Sequence, residues 1–159
     1  VKAVQKYNGC IDKFIGDAGM YIFNAPIDML HHEQIAYECA LELINNVKQV
    51  SDELEAEGLP SVAIGVGINT GTAIVGNMGS DTRFDYSAIG DPVNVAARLE
   101  SATKERGVDL LIGKETEKFC GYKLEVLESI KVKGKTKPLK IYTKHKQDHE
   151  NNSRRNNKD

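Results

Sequence analysis

Four groups of residues in this sequence have the types and spacing to do chemistry. Asp17 follows Gly16 between two apolar, β-rich runs, Cys10 to Gly16 and Ala18 to Asn24. On the tip of a rigid hairpin its carboxylate is a hard oxygen donor suited to Mg²⁺, although Gly-Asp is also ordinary turn chemistry. Lys13 lies four residues earlier among apolar neighbours. A lysine in such a strand costs roughly several kcal/mol unless it is paired or solvated. It is therefore either an edge-strand lysine that blocks aggregation or a donor aimed into a cleft. Asn94 and Arg98 stand four apart, so a helix projects them from one face. They form a solvated polar face, or an amide and a guanidinium that hold a ribose and a phosphate. Lys131, Lys133, Lys135 and Lys137 surround Gly134, as a charged hairpin tip or as a clamp for a polyphosphate.

The elements that must position these groups can be read from pattern. Val1 to Asn8 reads as the end of a helix, and Gly16-Asp17 as a two-residue hairpin turn. Asp28 to Gly58 reads as a long helix capped by Asp28 and stopped by Gly58 and Pro60. Its apolar stripe is Ala36, Ala40, Leu43, Val47, Val50 and Leu54. Ser61 to Ile68 and Thr72 to Gly76, joined by Asn69-Thr70-Gly71, read as a second hairpin, and Asn77 to Phe84 as a loop or protruding arm. Asp91 to Arg106 reads as a helix with Pro92 in its first turn and Gly107 as its stop; Val95, Leu99 and Ala102 face the core. Short strands are predicted over Asp109 to Ile112, Tyr122 to Leu127, Ser129 to Val132 and Leu139 to Thr143. The order predicts an α+β fold, a sheet with helices packed on one face. Residues 1–145 are expected to form one domain and residues 146–159 a polar, disordered tail.

Four motifs, "DKFIGDAGMYIFNAP", "GVGINTGTAIVGNMGS", "FDYSAIGDPVNVAARLES" and "VKGKTKPLKIY", occur in order from residue 9 to about residue 143. Together they resemble the class III nucleotidyl cyclase catalytic domain, most of all that of bacterial-type adenylate cyclases. The resemblance implies a ferredoxin-like α+β core acting as a head-to-tail homodimer with sites at the interface. It implies conversion of ATP to 3′,5′-cyclic AMP and pyrophosphate, with two Mg²⁺ (or Mn²⁺) ions. Residue by residue, Asp17 matches a metal-binding aspartate and Lys13 the lysine that reads the adenine ring. Ser87 matches the second base-reading position, usually Thr in this branch; Ser keeps the hydroxyl. Asn94 matches the asparagine that orients the ribose, and Arg98 the arginine that stabilises charge on the α-phosphate. Lys133 or Lys135 matches the phosphate-binding lysine. Guanylate cyclases usually carry Glu and Cys where this chain has Lys13 and Ser87, so the resemblance favours ATP over GTP. A motif like "FSDIRGFT", which brings the family's other metal aspartate, does not occur in the sequence. The resemblance thus implies an N-terminally truncated domain, without its first strand, that is poorly active alone. Guanylate cyclase activity and an inactive dimerising or nucleotide-sensing module are the alternatives.

Bulk properties narrow the class further. A length of 159 residues suits one domain. A net charge of -2 argues against a broad nucleic-acid surface. Three cysteines without CxxC spacing argue against a disulfide framework or a zinc site, and a reducing, cytoplasmic compartment is expected. No apolar run is long enough to span a bilayer; a regulatory or membrane segment upstream is expected in the parent protein.

Overall fold

The computed structural model describes residues 1–83, 85–130, 134 and 138–145, with only the backbone for 128–130. Among the described residues four helices and eight strands follow one another: α1 (Lys2–Lys6), β1 (Cys10–Ile15), β2 (Ala18–Ile22), α2 (His32–Ala56), β3 (Val66–Ile68), β4 (Ile74–Asn77), β5 (Tyr86–Ile89), α3 (Asp91–Arg106), β6 (Leu110–Gly113), α4 (Lys114–Phe119), β7 (Leu124–Ile130) and β8 (Leu139–Lys144). The α+β class read from the sequence is the class observed. The central sheet has the order β3-β6-β8-β7, and β1-β2 and β4-β5 form separate two-stranded ribbons.

One expectation about layering is corrected. The helices lie on both faces of the central sheet, not on one. Tyr37, Ala40 and Ile44 of α2 pack with Leu110, Ile112 and Tyr142. Val95, Leu99 and Ala102 of α3 pack with Leu111 and Ile141. Successive strand residues point to opposite faces, so β6 feeds both cores, and all four of its residues are buried. An unbroken apolar run such as Leu110-Leu111-Ile112 is the mark of a strand covered on both sides.

The chain's last described strand, β8, sits between β6 and β7 and is antiparallel to both. Two side chains fasten it. The Thr143 hydroxyl donates to the Leu110 carbonyl at 2.7 Å, and the buried Lys144 ammonium meets Asp109 at 2.9 Å.

Several local readings hold. The α3 bounds match the prediction, with Pro92 in the first turn and Gly107 at φ 65 ending the helix. Gly58 ends α2 in a Schellman arrangement: the Gly58 amide donates to the Glu55 carbonyl and the Leu59 amide to the Leu54 carbonyl. Others are corrected. Asp28 does not cap α2; the cap position is His31, at φ 57 with no side-chain cap bond. The Asn24 side chain, by accepting from the Met29 amide at 2.6 Å, orders the approach instead. The buried stripe of α2 runs through Ala36, Tyr37, Ala40, Ile44 and Ser51, and Val50 is exposed.

The predicted Ser61–Gly76 hairpin does not form. β3 pairs in parallel with β6, and β4 pairs with β5. Side-chain ties hold the segments apart: the Val62 amide donates to Ser51, Asn69 to the Pro92 carbonyl, and Thr70 and Thr116 bond each other. The two strands expected between Tyr122 and Val132 are one, β7, with an irregularity between Leu127 and Ile130; Val132 and the predicted tail lie outside the described residues.

All three cysteines are free. Burial first, then the Glu42 charge, pushes the Cys39 thiol up to about 11 from 9.0. The folded state therefore resists ionisation that the unfolded chain undergoes. This stabilisation is complete below pH 9 and is lost as pH rises through about 11. Between pH 9 and 10, before unfolded-chain tyrosines titrate, Cys39→Ala is expected to flatten the decline of denaturant-measured stability with pH. An unchanged slope would refute this.

Candidate active site

The β1–β2 hairpin closes Ile15 against Ala18, leaving Gly16-Asp17 as a two-residue turn. Gly16 takes φ 62 while Asp17 stays outside the positive region, the φ pattern of a II′ turn that suits strand twist. Asp17 is exposed and has no hydrogen-bond or ion-pair partner among the described residues. Its carboxylate is thus displayed on a short, paired hairpin.

Lys13 is exposed on β1. Just before it the ladder slips: Ile11 opposes Tyr21 and Lys13 opposes Met20, which leaves Asp12 as an extra residue. Such a bulge turns a side chain out of the regular alternation. Here it turns Asp12 to β5. The Asp12 Oδ2 accepts the Ser87 hydroxyl proton at 3.0 Å and the Ala88 amide at 3.3 Å. Lys13 and Ser87, the two residues matched to base reading, are thereby held on adjoining strands. Burial, and then the Asp12 charge, raise the Cys10 thiol, so Cys10 is no ready nucleophile.

From Ser87 the chain runs through Gly90, at φ 142, into α3. Val95 and Leu99 are buried, which turns Asn94 and Arg98 outward one helical turn apart, both exposed and without a partner among the described residues. Lys13, Ser87, Asn94 and Arg98 therefore lie on consecutive or touching elements. Within one chain no hydrogen bond or ion pair joins Asp17 to any of them. Lys133 and Lys135 lie outside the described residues.

Apolar side chains on β1 and on the β4–β5 ribbon lie uncovered. Phe14 and Ile15, beside Asp17, are 59% and 65% exposed, and Ile74 and Ile89, paired across β4–β5, are 67% and 50% exposed. Among the described residues no cluster of three or more His, Cys, Asp or Glu could hold a metal, and no helix is long and apolar enough to cross a membrane.

The residue that sequence reasoning passed over is Asp12. Its signal was a second carboxylate inside the same apolar run, next to Lys13. Only the bulge and its long-range bond to Ser87 give it meaning.

Comparison with known proteins gives a consistent result. A family model described as the adenylate and guanylate cyclase catalytic domain matches residues 4–146. An adenylate cyclase of Anabaena cylindrica is 36% identical over 147 residues, covering 89% of this chain and 29% of its own length. Adenylate cyclase 1 of Rhizobium meliloti is 36% identical over 143 residues, covering 89% of this chain and 22% of its own length. The chain thus spans less than a third of either relative. Among solved structures, the adenylyl cyclase CyaB from P. aeruginosa superposes with a TM-score of 0.78 at 35% identity, covering 89% of this chain and 74% of that one. A guanylyl cyclase superposes with a TM-score of 0.77 at 29% identity, covering 89% and 72%.

Proposed function

The chain belongs to the adenylate and guanylate cyclase catalytic domain family, and from that premise we propose that it converts ATP to 3′,5′-cyclic AMP and pyrophosphate as half of a head-to-tail homodimer. The observation that supports the choice of ATP is that Ser87 bonds Asp12, the residue next to Lys13, across the β1–β5 contact. Adenine offers an acceptor at its ring N1 and a donor at its exocyclic amine. Lys13 has only protons to give, and it meets N1. Ser87 supplies the oxygen that accepts from the amine.

Asn94 then holds the ribose so that its 3′-oxygen faces the α-phosphorus. Attacker and phosphate belong to one molecule, so alignment supplies much of the rate. The new bond joins the 3′-oxygen to the α-phosphorus, the bond to the pyrophosphate oxygen breaks, and the 3′-hydroxyl proton leaves to solvent. Negative charge grows on the α-phosphate oxygens as this happens. Arg98, with no competing partner among the described residues, is free to meet that charge with a fixed guanidinium. Lys133 or Lys135 binds the outer phosphates.

Mg²⁺ is held by one or two carboxylates together with substrate phosphates, and an unpartnered Asp17 on a hairpin tip fits as one such carboxylate. Bound there, such an ion would supply Lewis-acid activation of the 3′-hydroxyl and neutralisation of the leaving pyrophosphate. A second copy of the chain accounts for two features together. It covers the apolar surface around Phe14, Ile15, Ile74 and Ile89, and it brings one protomer's Asp17 to its partner's Arg98.

Turnover of ATP and GTP by the protein that carries this domain tests the reading. Cyclic AMP formation is expected at a kcat/KM at least about tenfold above that for GTP, the scale of one well-made polar contact. Equal rates, or preference for GTP, would make it a guanylate cyclase; no turnover of either would make it an inert module.

A further inference from the structure

We propose that Asp12 is a positioning residue that sets base selectivity by fixing the direction of the Ser87 hydroxyl; this rests on the adenylate cyclase reading above. A serine hydroxyl has one proton and two lone pairs, so it is able to meet a donor or an acceptor. Left free, Ser87 would serve adenine's amine by accepting and guanine's O6 carbonyl by donating. It would then discriminate poorly between the two bases.

Asp12 removes that freedom. Its Oδ2 takes the Ser87 proton at 3.0 Å, and a carboxylate only accepts. The Ala88 amide, donating to the same oxygen at 3.3 Å, holds the carboxylate in that position. Asp12 Oδ1 is already buried without a partner. Turning the Ser87 proton away would leave Oδ2 with the longer Ala88 bond alone, a loss that a carboxylate with its other oxygen already unpaired resists. What Ser87 offers the base is therefore lone pairs alone. Those accept from adenine's amine and oppose guanine's carbonyl oxygen, and a site built for one polar partner rejects its opposite strongly. The bulge at Asp12 is the backbone device that aims the carboxylate at β5 while Lys13, the next residue, stays exposed.

The test compares binding of 3′-deoxy-ATP and 3′-deoxy-GTP, which lack the attacking hydroxyl, to the protein that carries this domain in the presence of Mg²⁺. Asp12→Ala is expected to reduce the preference for the adenine probe about tenfold. Asp12→Leu, which fills the carboxylate's volume, should do the same and serves if the alanine variant does not fold. Asp12→Asn keeps an oxygen that the Ala88 amide holds in place, so it should retain the preference. In a Ser87→Ala background, Asp12→Ala should change the preference no further. A folded Asp12→Ala or Asp12→Leu variant with the wild-type ratio overturns the proposal, as does an equal loss of both affinities. If the wild-type protein binds neither probe, or prefers the guanine one, the adenylate cyclase reading itself fails.

Discussion

Arg98→Ala is expected to lower cyclic AMP formation by about 10²–10³ in kcat, the cost of losing one donor aimed at developing charge, with little change in KM for ATP. The guanidinium is exposed on α3 and bonds no described residue, so its removal should leave the melting temperature almost unchanged. Asp17→Ala should also abolish most activity, for a different reason: it removes a carboxylate from the hairpin tip. The two variants together test the dimer. In a head-to-tail pair each site takes Asp17 from one protomer and Arg98 from the other. Mixing the two inactive variants then assembles one intact site in each mixed dimer, and about a quarter of wild-type activity should return by random pairing of a two-fold assembly. Activity unchanged in Arg98→Ala would support the inert-module reading. Two folded variants that fail to rescue each other would place both residues in a site made by one chain.

Gly67→Val should damage the fold severely. Gly67 lies in the middle of β3, against the backbone of α3. A Cβ there would run into the Ala96 carbonyl oxygen and the Glu100 amide nitrogen and would crowd the Leu99 side chain. The first two are helix backbone, so no rotamer change relieves the overlap and α3 must move off the sheet. Overpacking of this kind costs about 3 kcal/mol, a fall of roughly 6–12 °C in Tm for a domain of this size. Activity should fall further than stability alone dictates, because α3 carries Asn94 and Arg98. Gly76→Ala is the matched control: nothing lies within 4 Å of its Cβ position, and its Tm should stay near wild type. A Gly67→Val protein that melts with the wild type would disprove the close approach.

Features set by nearby residues were legible in the sequence. Pro92 and Gly107 bracket α3 because one suits a first turn and the other a left-handed end, and the structure ends the helix where they stand. Gly16-Asp17 reads as a turn because only a residue tolerant of positive φ fits there. The Asn94–Arg98 face follows from helical spacing alone. What was not legible depends on partners far away in sequence. Nothing local to Val66–Ile68 says that it pairs in parallel with Leu110–Ile112. The start of α2 carries no capping side chain, so Asp28 was a plausible but wrong choice. α4 escaped notice because six residues are too short to show a period; Thr116, fully buried and bonded to Thr70, holds it in place. Of the proposed site, Lys13, Ser87, Asn94 and Arg98 were named from motifs, whereas Asp12 needed a bulge and a bond spanning 75 positions.

The place of β8 in the sheet has a consequence for synthesis. A ribosome delivers this strand after every other described element, yet it must slot between two that are already made. Until it emerges, β6 and β7 have no common neighbour, and both cores lack the side chains of Ile141 and Tyr142. The nascent polypeptide therefore exposes two unfinished apolar surfaces between the emergence of β6 and that of β8, the condition under which chaperones engage. Premature termination before Leu139 should leave a product without a closed core, fit for proteolysis and not for assembly.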